Sequence, residues 1–331
     1  MKILVTGSAG HLGDAMVRSM QTAGHDVVGI DLLASPTTHI VGSIADRSVV
    51  QHCMAGVQAV MHTATLHKPH VATHTKQDFA DVNITGTLNL LEEAVRAGVG
   101  AFVFTSTTSA FGRALSPAAG EPAAWITEDV VPMPKNIYGV TKLAAENLCE
   151  LFAHKHGLPC LVLRTSRFFL EADDNPATRA KFDDSNTKAN ELLYRRVDIE
   201  DIVSAHVLAM EKLLTTPANA EFARYIISAS TPFTQGDLAQ LRSNASNVVA
   251  RYFAHYPALY TTQGWTMFDS IDRVYVNHRA RAALGWRPRY DFAHVLACLR
   301  QGVDHRSALA VTVGSKGYHA QIFEDGPFPV D

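Results

Sequence analysis

"TGSAGHLG", residues 6–13, follows the apolar run "ILV" (3–5) and leads into a stretch with helical spacing, 11–23. Its glycines, Gly7, Gly10 and Gly13, stand three apart. Glycine permits positive φ and puts no Cβ in the way of a pyrophosphate. The helix start that follows offers free N–H groups and the positive end of its dipole. Strand, glycine turn and helix in this order predict a dinucleotide site, and with it a fold that opens on a parallel strand.

Working outward, the same kind of apolar run recurs: "DVVGI" (26–30), "AVMH" (59–62), "AFVF" (101–104) and "CLVLR" (160–164). Each is too short for a helix and lacks polar alternation, as strands buried on both faces do. Helical spacing fills the gaps. Residues 76–97 place Val82, Leu88, Leu91 and Val95 inward, and residues 138–156 place Leu143, Leu148, Leu151 and Phe152 inward. The alternation predicts an α/β protein with a Rossmann-like, doubly wound parallel sheet. After about residue 165 it fades. "EADDNPATRAKFDDSN" (171–186) reads as loop, 201–214 as helix, "RYIISA" (224–229) as strand and "RARAALGW" (279–286) as helix. The expected division is an NAD-binding domain over 1–165, a smaller substrate-binding lobe over 166–305 that is interleaved with the sheet, and an extended tail over 306–331.

Bulk properties exclude several function classes. The chain has 331 residues, 47% hydrophobic and 18% charged, which is ordinary globular composition. A formal charge of -3 provides no broad basic field for nucleic acid. Cys53, Cys149, Cys160 and Cys298 form no C-x-x-C pair and read as reduced and mostly buried. The 16 histidines show no ligand spacing, so no metal site is expected. No apolar run approaches the roughly 18 residues of a membrane span, and the first residues read as strand rather than signal peptide. The expected compartment is the cytoplasm.

Two acidic residues bear on the cofactor. Asp31 closes the second strand, where a carboxylate accepts both hydroxyls of an adenine ribose and repels a 2′-phosphate, which favours NAD over NADP. Asp46, in "GSIAD", has two open roles: contact with the adenine amino group, or the N-cap of a helix.

"KNIYGVTK" (135–142) carries the chemistry. Tyr138 and Lys142 are four apart at a helix start and share a face. A neighbouring cation favours phenolate, so the tyrosine pKa is expected to fall from about 10 toward neutrality. A phenol so tuned can remove or return the proton of a substrate hydroxyl while hydride moves. "FVFTSTTSAFG" (102–112) supplies hydroxyls at a strand end, among which Thr107 can hold the substrate oxygen.

With these pieces in place, the chain resembles the extended short-chain dehydrogenase/reductase family, in its NAD-dependent epimerase/dehydratase group. The resemblance rests on "TGSAGHLG", Asp31, "HTATL" (62–66), "DVNITGTLNLLEEA" (81–94), "FTSTTSAFG", "YGVTK", "LRTSRFF", "VDIEDIVSAHVLAME" and "LGWRP", in the family's order. It implies a catalytic set of Thr107, Tyr138 and Lys142, with Lys142 also binding the nicotinamide ribose. The implied cofactor contacts are Gly7, Gly10, His11, Leu12 and Gly13, then Asp31, Ile44 and Asp46, then Thr63, Ala64 and Asn83, with Tyr138 and Lys142. Asn83 matches an asparagine that usually braces the active site. The family commonly dimerises through the helices represented here by 76–97 and 138–156.

The chain also departs from the family. Thr108 and Ser109 stand where its dehydratases carry Asp-Glu, so water elimination lacks its acid and base. Arg164 to Val197 is only 33 positions, shorter than in members acting on nucleotide-diphosphate sugars. Tyr194 occupies their arginine position, with Arg195 and Arg196 shifted by one and two, and Arg167 replaces an asparagine. These departures imply a smaller, polyhydroxylated substrate. Thr108, His67 and Arg167 are its candidate contacts. Arg167, His67, Lys68 and His70 are either a cationic patch for a carboxylate or phosphate, or surface charges in local ion pairs. Three readings follow: an NAD-dependent dehydrogenase of a sugar or sugar acid, an NAD-dependent sugar epimerase, and an NAD-binding sensor without turnover.

Overall fold

The computed structural model describes residues 1–215 and 222–317. Strands β1 (Lys2–Thr6), β2 (Asp26–Asp31), β3 (Ile40–Val41), β4 (Ala59–His62), β5 (Ala101–Thr107), β6 (Ala124–Ile126), β7 (Cys160–Thr165), β8 (Phe222–Ile227) and β9 (Arg273–Tyr275) alternate with helices. Seven of them form one parallel sheet in the order β3-β2-β1-β4-β5-β7-β8. Every apolar run predicted as a strand is one. β8 comes from the second half of the chain and closes the sheet against β7, with Cys160 opposite Phe222 and Thr165 opposite Ile227. β6 and β9 pair separately.

Alternate residues along a strand face opposite ways, and the core divides accordingly. Ile3 and Val5 pack on one face with Met16 of α1 (His11–Thr22) and Ile202 of the helix Ile199–Thr215. Leu4 packs on the other with Val50 of α2 (Arg47–Cys53). Strand order runs one way from β1 to β3 and the other way from β4 to β8. The carboxyl ends of β1 and β4 therefore flank the crevice where such sheets bind ligands.

The predicted helix 76–97 is α3 (Lys76–Ala80), a π turn (Asp81–Thr85) and α4 (Gly86–Ala97). A π turn inserts one residue and turns a side chain that the α register would direct elsewhere. Here it holds Asn83, whose Nδ2 donates to Leu66 O at 2.9 Å and to Thr141 Oγ1 at 3.0 Å.

Helix α5 (Ile137–His156) is capped by the Asn136 side chain and stopped by Gly157 at φ 67°. Its buried face differs from the expected one. Tyr138, Lys142, Ala145, Glu146, Cys149 and Phe152 face inward, while Leu151 is 49% exposed. Apolar periodicity misleads there because the inward face carries polar groups. The stretch 171–186, read as loop, contains α6 (Pro176–Lys181) and the start of α7 (Asp184–Glu191), capped by Asn175 and Asp183. Both helices are too polar to show an apolar stripe. Within the stretch read as an extended tail, Ala308–Val313 is a helix; residues 318–331 lie outside the described ones. All four cysteines are free and buried. Among the described residues no helix is long and apolar enough to cross a membrane.

Candidate active site

A cleft of about 660 Å³ opens over the carboxyl ends of β1, β4, β5 and β7. At one end is the glycine turn. Gly7 has φ 72°, and a Cβ there would lie 2.8 Å from the Ala64 backbone. A Cβ on Gly13 would lie 1.9 Å from Gly7 O. Gly10 N-caps α1 with no side chain over the helix start. The first turn of α1 thus keeps a bare, positively polarised end toward the cleft. His11, Leu12 and Thr63 also line it. Ala64 sits behind the turn, its N–H donating to Thr6 Oγ1 at 3.1 Å.

Asp31 ends β2 at the cleft wall. Its Oδ2 accepts from Ala9 N at 3.0 Å and its Oδ1 from Leu33 N at 2.9 Å. These bonds fix the carboxylate, and each oxygen keeps a lone pair for a ribose hydroxyl. Bare turn, bare helix end and oriented carboxylate fit an NAD dinucleotide.

Besides Ala64, three predicted cofactor contacts stand outside the cleft wall. Asp46 caps α2, accepting from Ser48 N at 2.9 Å and Ser48 Oγ at 2.7 Å, so the N-cap role is the one observed. Ile44 is buried against the core, 5% exposed. Asn83 spends its amide on Leu66 and Thr141. It ties the loop after β4 to α5, which is the bracing role.

At the centre, Thr107, Tyr138 and Lys142 line the same cleft. Thr107 ends β5, and its hydroxyl accepts from Ser109 N at 3.0 Å and faces the Tyr138 phenol closely enough to favour its charged form. Lys142 Nζ donates to Thr105 O at 2.6 Å and lies 4.0 Å above the Phe104 ring. The expected acidification of Tyr138 is reversed here. Burial pushes the phenol up to about 12, with the Thr107 hydrogen bond acting the other way. Burial also pulls Lys142 down to about 7, against the field of Glu146. Desolvation sets the direction for both groups, and the Lys142 ammonium is directed at the β5 carbonyl.

Below this trio, Glu146 of α5 accepts from Ser106 Oγ at 2.6 Å, from Arg164 Nη2 at 2.7 Å and from Arg224 Nε at 3.0 Å. The carboxylate locks α5 to β5, β7 and β8 and so fixes where Tyr138 stands. Breaking such a buried pair costs about 3–5 kcal/mol.

At the far end, the expected cationic patch is compensated. Arg167 Nη1 meets Asp173 at 2.8 Å, Asp174 at 3.4 Å and Glu191 at 3.6 Å. Lys68 meets Asp174 at 2.5 Å. Glu191 is held down at about 2: burial alone would raise it, and Arg195, Arg196 and Arg167 overcome that. His67 and His70 pack on each other, 4.5 Å between ring centres. Thr108, His67 and Arg167 do line the cleft, as do Ser166, Arg195, Arg273 and Tyr275. Sequence reasoning missed Ser166, Arg273 and Tyr275 as contacts, although Ser166 directly follows a strand run that ends at the cleft.

Comparison with known proteins adds four findings. A family model described as "NAD dependent epimerase/dehydratase family" matches residues 3–222. A UDP-glucose 4-epimerase of Lactobacillus helveticus is 26% identical over 325 residues, covering 88% of this chain and 93% of the relative. A 2-alkyl-3-oxoalkanoate reductase of Stenotrophomonas maltophilia is 30% identical over 257 residues, covering 72% of this chain and 73% of the relative. In fold, the chain is similar to a short-chain dehydrogenase/reductase superfamily protein from Agrobacterium tumefaciens solved with bound NAD, at TM-score 0.63 and 24% identity, covering 91% of this chain and 98% of that one.

Proposed function

This chain belongs to the NAD-dependent epimerase/dehydratase family, and from that premise we propose that it is a dehydrogenase acting on a small polyhydroxylated substrate, a sugar or sugar acid. One observation carries the reading: Thr107, Tyr138 and Lys142 share a single cleft with the glycine turn and Asp31. When bound, NAD supplies the hydride acceptor and, while oxidised, a positive ring beside the phenol. Tyr138 Oη removes the proton of the substrate hydroxyl in oxidation and returns it in reduction. Thr107 Oγ1 holds the same substrate oxygen at the proper distance. Lys142 is the group for the nicotinamide ribose. The turn of Gly7, Gly10 and Gly13, with His11, Leu12 and Thr63, carries the pyrophosphate, backed by Ala64, and Asp31 takes the adenine ribose. Thr108 and Ser109 offer no acid–base pair, so water elimination is not part of the reaction.

The second reading is an epimerase, which returns the hydride to the other face of the ketone. The similarity to a UDP-glucose 4-epimerase supports it. Incubation with aldoses, uronates and polyols separates the two. A dehydrogenase forms NADH in proportion to product. An epimerase forms no net NADH and completes its reaction with catalytic NAD. If no compound supports either outcome, the oxidoreductase reading is wrong.

We further propose a cytoplasmic homodimer packed through residues 76–97 and 138–156. Val140 and Leu151, 50% and 49% exposed on α5, give that surface apolar area to cover. The proposed division keeps residues 1–165 as the NAD-binding domain and 166–305 as the substrate lobe.

A further inference from the structure

Two buried donors on the cleft wall have no hydrogen-bond partner, Ser166 Oγ and Arg195 Nε. Buried polar groups in folded proteins are nearly always paired, so an orphan at a site asks for a ligand. Ser166 is 3% exposed, and its own N–H is fixed on Ile227 O at 2.9 Å. Arg195 is held by one edge only: its Nη2 meets Glu191 Oε1 at 2.7 Å, and its carbonyl accepts from Arg167 N at 3.2 Å. The two orphans sit on adjoining segments, since Arg167 follows Ser166 and bonds Arg195. Thr108 joins them to the catalytic end, donating to Thr165 O at 3.4 Å.

The surrounding charges limit what that ligand can be. Arg195 lies within ion-pair distance of Glu191 and Asp173, and Arg167 of Asp173, Asp174 and Glu191. Arg196 meets Glu191 at 2.7 Å, Lys68 meets Asp174, and Arg273 meets Asp272. These cations share four carboxylates, Glu191, Asp173, Asp174 and Asp272, and each stands within ion-pair distance of at least one. A diphosphate or carboxylate placed here meets no cation that lacks a carboxylate partner and stands beside Asp174, which itself lines the cleft. An uncharged oxygen accepts from the free donors without that repulsion.

We propose that Ser166 and Arg195 together bind one uncharged oxygen of the substrate, a hydroxyl or ring oxygen. The substrate is then a free polyol or sugar, with neither phosphate nor carboxylate at that end. This rests on the oxidoreductase reading above and narrows it.

The test uses the full-length enzyme and initial rates of NADH formation. The substrates are a free sugar or polyol, the matching uronic acid, the matching UDP-sugar and the monodeoxy analogues of the free compound. Wild type is expected to favour the free compound over both anions by at least about tenfold in kcat/KM. Ser166→Ala is expected to lose about tenfold on the free compound and to lose nothing further on one deoxy analogue, the one lacking the bound oxygen. Arg195→Lys keeps the charge, removes the Nε donor and shifts the same comparison in the same direction. NAD affinity stays at the wild-type level in both variants, which separates lost recognition from misfolding. Faster turnover of the uronic acid or UDP-sugar by wild type overturns the proposal and leaves the oxidoreductase reading intact. So does an equal loss on the parent and every deoxy analogue. Absence of turnover on every compound, with or without net NADH, overturns both.

Discussion

Tyr138→Phe lowers kcat by between about a hundredfold and ten-thousandfold, the range that a positioned general acid–base contributes. NAD affinity stays close to wild type, because the phenylalanine keeps the ring and loses only the hydroxyl. The expectation follows from position. Tyr138 is 8% exposed and lines, with Thr107, the cleft shared with the glycine turn. Burial holds its pKa at about 12, so without a bound cation the phenol keeps its proton at neutral pH. Proton transfer then depends on positive charge brought beside it. Steady-state rates and fluorescence titration with NAD measure the two quantities separately. Loss of NAD binding together with kcat shows instead a structural role for the ring, and retained turnover removes Tyr138 from the chemistry.

Gly13→Ala is the second large effect. The new methyl would stand 1.9 Å from Gly7 O and 2.8 Å from Ser8 Cα, both backbone. No rotamer relieves that contact, so α1 must move away from β1 or the turn must open. Overpacking with a flexible neighbour costs about 1–3 kcal/mol; here the neighbour is the turn itself. The expected outcome is a drop in NAD affinity of at least about a hundredfold, with a lower Tm. Gly236→Ala is the control, since the nearest atom its methyl would meet is a side-chain one, Thr234 Oγ1, at 3.6 Å. Calorimetric titration with NAD checks both. An unaltered affinity in Gly13→Ala shows that the turn does not carry the cofactor.

The fold was legible because its signals are local. Short apolar runs buried on both faces became β1, β2, β4, β5 and β7, and the glycine turn stands where its spacing placed it. Tyr138, Lys142 and Thr107 were legible for the same reason, as an i, i+4 pair and a strand-end hydroxyl. What escaped depends on contacts between segments far apart in the chain. Leu151 looked inward by period, yet the inward face of α5 is set by Glu146 meeting Arg164 and Arg224. Asp46 carried two readings until the helix behind it was seen to need a cap. Arg167 carried two readings, a cation for an anionic substrate or a partner in local ion pairs, and only the fold brings Asp173, Asp174 and Glu191 to it. The i, i+4 spacing predicts the opposite direction for the Tyr138 shift because spacing says nothing of burial, and here the Lys142 ammonium is spent on Thr105 O. Ser166 had no motif of its own; its orphaned hydroxyl is visible only in three dimensions.

The central claim is that this cleft moves a hydride between a substrate carbinol carbon and NAD while Tyr138 moves the proton. Deuterium placed on that carbon tests it most directly. The account predicts that the label passes to the nicotinamide in a single turnover, with none exchanged into water, and that Tyr138→Phe slows the transfer. Label found in the solvent, or product formed with the label still on its original carbon and face, would contradict it.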